Sequence, residues 1–137
     1  MTQLTYESLT QRLSEAECSW MSSVRPDGRA HSAPVWHVWY EDHIYVVTQE
    51  TAVKVKNIAV YPHVVLTHQD PLEPVIIEGT AVLVEGIGEE LRPYFQQKYD
   101  WNIVTDKEYQ AIIQIKPTKI IAWTRGGKES FRWEPPA

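Results

Sequence analysis

A strand end followed by a lysine-bearing helix is the segment of the sequence best suited to chemistry. Thr48 closes a run of β-branched residues, and helical spacing of apolar residues predicts a short helix over residues 51–60, with Thr51 as its N-cap. Lys54 and Lys56 fall in the first turns of this helix. A helix N-terminus presents unpaired N–H groups and a partial positive charge, so a hydroxyl and a lysine beside it form a site for a phosphate dianion.

The same segment has a second interpretation, which the spacing alone leaves open. Two lysines on a short helix usually form a solvated face, and Glu50 beside them disfavours an anion. Lysine near a helix N-terminus is, however, mildly unfavourable unless an anion offsets it. That mismatch favours the phosphate site without establishing it.

Other chemistries find little support in the residue pattern. His31 and His37 share a strand face in this interpretation but lie roughly 20 Å apart, and His63 and His68 point to opposite faces, so no metal site is expected. The sequence contains neither a Gly-x-Ser-x-Gly turn nor a glycine-rich nucleotide motif. Cys18, the single cysteine, is expected to be a small buried side chain. Any redox chemistry must therefore belong to a bound cofactor.

His37 is the one candidate for a general acid or base, and a strand histidine of this kind is more often structural. The chain has 137 residues, six tryptophans, seven tyrosines and a net charge of −5, so we expect one globular domain over residues 1–137. Its basic residues are scattered, which disfavours nucleic-acid binding. With no apolar run long enough for a bilayer and no signal-peptide pattern, no membrane association and a cytoplasmic location are expected.

The elements that must position these residues follow from periodicity and turn signals. Helices are predicted over residues 5–17, 51–60 and 89–99, with Pro93 in the first turn of the last. Strands are predicted over residues 18–24, 30–40, 44–48, 63–69, 75–85, 111–116 and 118–123. Six or more strands with turn-length connections indicate a mainly β fold with short helices, arranged as an antiparallel barrel.

Three local features refine this expectation. Gly79 inside a long strand predicts a bulge or a bend in the barrel wall. Pro117 is expected to separate the last two strands. The polar tail, residues 124–137, is expected to form an arm that packs on a partner molecule.

The chain resembles the pyridoxamine 5′-phosphate oxidase-like, FMN-binding split-barrel family. The resemblance covers roughly residues 10 to 124, and it depends on the order of several short motifs. They are Val24-Arg25-Pro26-Asp27-Gly28-Arg29-Ala30, Ala33-Pro34-Val35-Trp36, Val47-Thr48, Lys54-Val55-Lys56-Asn57-Ile58, Tyr61-Pro62-His63-Val64, Val75-Ile76-Ile77-Glu78-Gly79-Thr80-Ala81 and Pro117-Thr118-Lys119-Ile120-Ile121-Ala122-Trp123.

The resemblance implies a six-stranded antiparallel split β-barrel, a homodimer and FMN held between the subunits. It implies that Ser32, Ala33, Pro34 and Val35 run along the isoalloxazine ring, and that Val47 and Thr48 lie by the ring and the phosphate. It also implies that Val53, Lys54 and Lys56 belong to the phosphate helix, with Lys54 paired with the phosphate and Lys56 as a second contact to it. Trp123 is implied to reach the flavin from the partner subunit. Trp36 and Trp39 are expected at the dimer interface.

Two departures from the family pattern bear on function. Ala52-Val53-Lys54 stands where the family often has Ser-Arg-Lys, which removes two donors to the phosphate. Ser130-Phe131-Arg132-Trp133 lacks the arginine and histidine pair that would bind a vitamin B6 phosphate. Three hypotheses remain: an FMN-dependent oxidoreductase acting on an unknown small molecule, a reductase using a deazaflavin coenzyme, and a non-catalytic flavin- or haem-binding module.

Overall fold

The computed structural model describes residues 4–136, which form three helices and eight strands. The helices are α1 (Tyr6–Glu15), α2 (Val53–Val60) and α3 (Gly88–Tyr99). The strands are β1 (Ser19–Val24), β2 (Ala30–Val35), β3 (His37–Tyr40), β4 (His43–Thr48), β5 (His63–His68), β6 (Val75–Val84), β7 (Ala111–Trp123) and β8 (Ser130–Trp133). The prediction of a mainly β fold with short helices is confirmed.

All the strand pairs are antiparallel, in the order β2-β1-β5-β6-β7-β4-β3, and β8 adds to β7. The described sheet thus has eight strands rather than six. β2 and β3 occupy the two ends of this order, and only Trp36 separates them in the chain. The sheet therefore curls so that its first and last strands meet at one residue.

The prediction of a single strand over residues 30–40 is wrong. β2 pairs with β1, whereas β3 leaves that partner and pairs with β4. The reason is that β3 is buried on both faces: the His37 side chain reaches α1, and Val38 packs in a cluster with α3. His31 and His37 consequently belong to different strands, so the shared strand face expected for them does not exist.

The prediction that Pro117 breaks the last strand is also wrong, because β7 is continuous over thirteen residues. Pro117 has no N–H to donate, but it lies opposite Gly79, where the register between β6 and β7 shifts. The predicted bulge at Gly79 is confirmed. A Cβ there would lie 2.6 Å from the carbonyl oxygen of Lys116, so only glycine permits this approach of the two strands.

The helix termini differ from the expectations in detail. Thr5 caps α1 as part of a reciprocal capping box, and the helix buries Leu9 and Leu13. The N-cap of α2 is Ala52 rather than Thr51, and no side chain caps that helix. α3 begins at Gly88, one residue earlier than predicted, which moves Pro93 out of the first turn.

The C-terminal segment does not extend as an arm. β8 folds back on β7 of its own chain through a turn closed by hydrogen bonds between Thr124 and Glu129, and Phe131 and Trp133 cover the barrel core. The barrel core itself is aliphatic, with Leu66, Ile113 and similar residues fully buried. Among residues 4–136, no helix has the length and apolarity required to cross a bilayer.

Candidate functional site

A cavity of about 640 Å³ opens between β2, β4, the start of α2 and the loop that joins α3 to β7. This volume is in the range of about 300–1,000 Å³ that is typical of small-molecule sites. Its lining residues are Pro34, Val35, Trp36, Val46, Val47, Thr48, Gln49, Ala52, Lys54, Tyr99, Asp100, Trp101, Asp106 and Tyr109.

The start of α2 presents a positively charged, uncapped helix end to the cavity. No side chain accepts from the first backbone N–H groups of α2, and no acidic residue lies in its first turn. The Lys54 ammonium donates to Thr48 Oγ1 at 3.4 Å, and burial lowers the pKa of Lys54. None of the ion pairs among the described residues includes Lys54. A phosphate would supply the acceptor and the countercharge that this end lacks.

Two further nitrogen-bearing groups lie near Lys54. The pKa of His31 is lowered, first by burial and then by the positive charges of Arg25 and Lys54. His31 Nδ1 and Arg25 Nε are both buried without a hydrogen-bond partner in the described structure. Neither residue lines the cavity; Arg25 lies with Val53 and Lys56 in a neighbouring depression, where it adds positive charge beside the start of α2.

A second part of the cavity wall consists of aromatic rings. The Trp36 and Tyr99 rings are stacked, with centroids 4.5 Å apart and planes 2° from parallel. Trp101 meets Trp36 edge-on at 5.9 Å, and Tyr109 meets Trp101 edge-on at 5.8 Å. The rings are therefore arranged in the geometries that aromatic pairs prefer, which gives the wall a defined shape.

The loop between α3 and β7 is fixed by the carboxylate of Asp106. Asp106 accepts hydrogen bonds from Trp101 Nε1 at 2.9 Å and from the backbone amides of Glu108 and Tyr109. These donors hold the pKa of Asp106 below its usual value, the Trp101 bond having the largest effect. The indole and the loop backbone are therefore held in one orientation around an ionised carboxylate.

The end of α3 is attached to the point where β2 gives way to β3. Tyr99 Oη accepts from the backbone N–H of His37 at 3.0 Å and donates to the carbonyl of Glu17 at 2.6 Å. Lys98 Nζ donates to the His37 carbonyl at 2.8 Å. Burial raises the pKa of Tyr99 to about 12 and lowers that of Lys98 to about 8. These bonds satisfy the backbone that the strand break leaves without a sheet partner.

The structure brings half of the predicted site residues together. Those that line the cavity are Pro34, Val35, Val47, Thr48 and Lys54. The others, which are not among its lining residues, are Ser32, Ala33, Val53, Lys56 and Trp123.

The residues outside the cavity have other surroundings. Val53 and Lys56 line a separate depression of about 250 Å³ with Arg25 and other residues of the β1–β2 turn. Ser32 accepts from Ser22 on the neighbouring strand. Trp123, which is 37 % exposed, ends β7 opposite the start of β8. Trp123 does not reach the cavity of its own chain, and the expectation that it reaches a partner's flavin stays a prediction.

His37 is structural in this fold. Its side chain is fully buried, and Nε2 donates to the carbonyl of Leu13 at 2.9 Å. Burial lowers the pKa of His37 to about 3, so the ring is neutral at neutral pH. The side chain is directed at α1 rather than at the cavity, and we assign it no role in proton transfer.

The sequence pattern does not indicate the aromatic wall. Trp36 was expected at a dimer interface, and the residues between α3 and β7 were assigned no role. The available signal was the dense run of rings and carboxylates after residue 98, which includes Tyr99, Trp101 and Tyr109. Cys18 was expected to be buried and is instead half-buried beside Gln69. No group of three or more potential metal ligands occurs in the described part of the chain.

Comparisons with known proteins agree with this architecture. A family model described as pyridoxamine 5′-phosphate oxidase matches residues 6–124. A comparison with curated protein sequences gives no match.

Several solved structures share the fold at low sequence identity. The General Stress Protein 26 from Bacillus anthracis superposes with a TM-score of 0.73 at 20 % identity, covering 95 % of this chain and 100 % of that one. An F420 reductase gives a TM-score of 0.68 at 21 % identity over 87 % and 98 % of the two chains. A pyridoxamine 5′-phosphate oxidase-related, FMN binding protein from Nostoc punctiforme gives 0.61 at 14 % identity over 92 % and 83 %.

Proposed function

The chain belongs to the pyridoxamine 5′-phosphate oxidase family, and from that premise we propose that it is a flavoprotein that binds FMN in the cavity and acts as an oxidoreductase on a small molecule. The flavin would supply the redox chemistry, by accepting or delivering a hydride equivalent. The protein would bind the cofactor, orient its ring and exclude water from it.

The residues of the cavity suit the parts of this cofactor. The phosphate would lie at the start of α2, held by Lys54, by the hydroxyl of Thr48 and by the first amides of the helix. The ring would lie against the apolar side chains of Val35 and Val47, both of which line the cavity. These roles need no acid or base from the protein.

One observation carries the proposal: Lys54 is half-buried at an uncapped helix end, with no carboxylate partner among the described residues. Burying an ammonium without a countercharge costs free energy, and burial lowers the pKa of Lys54 accordingly. A ligand with a dianionic group offsets this cost. The shape and apolar lining of the rest of the cavity suit a planar ring attached to that group.

The test is a pair of lysine variants titrated with FMN. We expect Lys54→Ala to weaken FMN binding by about 1.5–3 kcal/mol, the range for hydrogen bonds to charged groups. Lys56→Ala is the matched control, because Lys56 lies on the same helix but lines a different depression. Equal dissociation constants for the wild type and both variants, measured by calorimetry, would remove the phosphate site from the start of α2.

The other two hypotheses differ in cofactor. A deazaflavin coenzyme has an acidic tail, and Asp100 and Asp106 in the cavity wall disfavour it. A haem iron takes His, Cys, Met or Tyr as its protein ligand. The described cavity residues include no His, Cys or Met, and of the two tyrosines Tyr99 has its hydroxyl already engaged, so Tyr109 is the one candidate haem ligand among them. The absorption spectrum of the purified protein and the mass of the released small molecule distinguish the three cofactors.

We also propose that two copies of the chain associate. Large apolar side chains lie exposed on the sheet, among them Trp20, Val82, Leu83 and Trp123, at 37–50 % exposure. A second copy that covers such side chains would remove apolar area from water. Light scattering coupled to gel filtration tests the stoichiometry, and a monomeric mass at micromolar concentration would contradict it.

A further inference from the structure

The ring of Trp36 offers the cavity a flat surface that the fold leaves open. One face of the indole is stacked on Tyr99, yet Trp36 is 47 % exposed and lines the cavity. Exposing an indole forgoes the burial that makes tryptophan stabilising in a core. A planar ligand packed against the exposed part of the indole would recover that area.

This surface is rigid before any ligand binds. Tyr99, which backs the indole, is bonded through its hydroxyl to the backbone of Glu17 and of His37. Trp101, which stands edge-on to Trp36, is held by the carboxylate of Asp106. Rings that do not have to be ordered on binding lose little conformational entropy, so the wall is preorganised for a flat partner.

The charges around this surface are negative. The charged side chains among the described cavity residues are Lys54, Asp100 and Asp106. Under the proposed function the cofactor phosphate pairs with Lys54, and the other two charged residues that line the cavity are both acidic. The loop amides and Trp101 keep Asp106 ionised at neutral pH. Lys98 Nζ lies 5.1 Å from the centre of the Tyr99 ring, donates to the carbonyl of His37 and is not a cavity residue.

We propose that the aromatic side of the cavity binds a planar aromatic substrate that is neutral or positively charged, stacked on Trp36, and that Asp100 and Asp106 exclude anionic molecules. This inference rests on the proposed function, because the bound molecule is the one that the flavin would oxidise or reduce. Aromatic faces attract cations through their quadrupole, and the carboxylates add to that preference. Phosphate esters, including those of vitamin B6, are thereby disfavoured as substrates.

The test uses three flat tricyclic probes of different charge in equilibrium dialysis with the FMN-loaded, oxidised protein. They are methylene blue, a cation; phenazine, which is neutral; and anthraquinone-2-sulfonate, an anion. We expect the first two to bind and the anion to bind about tenfold more weakly than phenazine, because both carboxylates repel it. Equal affinity for the anion and for phenazine would overturn the proposal.

Two variants assign the effect to residues. Asp100→Asn keeps the acceptor for Gln96 and suits the left-handed backbone, φ 51°, at this position. It should weaken methylene blue by about fivefold, the upper range for one exposed charge pair, and leave phenazine unchanged. Trp36→Leu should weaken both probes by about fivefold through the lost stacking. Tyr94→Leu is the matched control, because Tyr94 is also an exposed ring, at 43 %, packed on another tyrosine, and does not line the cavity.

The outcomes separate this inference from the proposed function. A protein that binds no FMN contradicts the flavin proposal, yet the effect of Asp100→Asn on methylene blue in the flavin-free protein still measures the role of that carboxylate. A protein that binds FMN, but whose affinity for methylene blue is unchanged by Asp100→Asn, contradicts the role of the carboxylate. An equal loss for Trp36→Leu and Tyr94→Leu contradicts stacking on Trp36.

Discussion

The barrel interior and the cavity wall are built from different side chains, although both depend on β4. Inside the barrel, aliphatic residues such as Leu66, Ile77 and Ile115 are at most 1 % exposed. Beside α3, the buried side of the cluster is closed by Phe95, and its outer members are Tyr99 and Trp101, which are only partly buried. One region removes as much apolar area from water as it can, whereas the other keeps its rings at the surface.

This difference indicates which region of the fold provides stability and which region provides ligand binding. Aliphatic burial contributes roughly 25 cal/mol per Å² and requires no particular orientation. Ring stacking depends on geometry, and here hydrogen bonds to Tyr99 and Trp101 maintain it. Changes in the first region should therefore alter unfolding alone, and changes in the second should alter unfolding and ligand binding together.

The strongest test of this separation compares two core truncations. Phe95→Ala should lower the free energy of unfolding by about 3–5 kcal/mol, and Leu66→Ala by about 2–5 kcal/mol. Phe95 contacts the rings of Tyr99 and Trp101, with centroids 6.2 and 5.6 Å from its own, so its loss also frees the cavity wall. Denaturant unfolding and probe dialysis measure the two quantities. Equal probe affinity in both variants would mean that the two regions are not separable in this way.

A smaller loss of stability, without a change in the cavity wall, is expected when the bulge at Gly79 is altered. Gly79→Ala places a methyl group against the carbonyl of Lys116 and the side chain of Ile115, and should cost about 1–3 kcal/mol of stability. FMN affinity should be unchanged below the unfolding transition.

Gly88→Ala provides the control for the bulge variant. At the start of α3 an added methyl group meets only ordinary contacts, at 3.9 Å, and the change should be neutral or stabilising by up to about 1 kcal/mol. A Gly79→Ala protein as stable as the Gly88→Ala protein would show that the bulge tolerates a side chain.

The smallest expected effect is on the pH dependence of stability. It comes from His37, whose side chain bonds to α1 and whose backbone bonds to Tyr99 of α3. Its pKa is near 6.5 in an unfolded chain and about 3 when folded. Between these values the unfolded state binds more protons, so the stability that is present above about pH 6.5 is lost as the pH falls. His37→Gln keeps a donor for the carbonyl of Leu13 without titrating. We expect the variant to lose about 1 kcal/mol less than the wild type between about pH 7 and about pH 5.5.

Chemical denaturation of both proteins at the two pH values measures this difference. His31 and His68 also have lowered pKa values, but they are present in both proteins and cancel. Parallel pH profiles for the wild type and His37→Gln would contradict a buried neutral imidazole.

Local patterns predicted most of the fold because the elements are locally consistent. Alternation located the strands, Leu9 and Leu13 located α1, and Gly79 marked the bulge. The failures arose where distant residues decide the outcome. Pro117 continues β7 because the register between β6 and β7 shifts beside it, opposite Gly79, and Trp36 ends β2 because α1 and α3 bury the next strand on both faces. No window of sequence around Pro117 or Trp36 contains that information.

The candidate site was predictable only in part, for a similar reason. Thr48 and Lys54 are six residues apart, so their proximity follows from a strand end and a helix start. Trp36 and Tyr99 are far apart in the chain and meet only through the attachment of α3 to the strand break. Tryptophan and tyrosine are residue types that predict a position in the core or at an interface. In the structure, tertiary packing makes Trp36 and Tyr99 part of the cavity wall.

The central position of β7 also has a consequence for the order in which the molecule can be made. β7 pairs with β4, β6 and β8, and β4 lies more than sixty residues before it in the chain. During synthesis on the ribosome, β4 and β6 therefore lack one of their partner strands until residues 111–123 have been added. Sheets that depend on such distant pairings form slowly. Because β4 contributes residues to the cavity wall, the cavity is consequently among the last parts of the molecule to form.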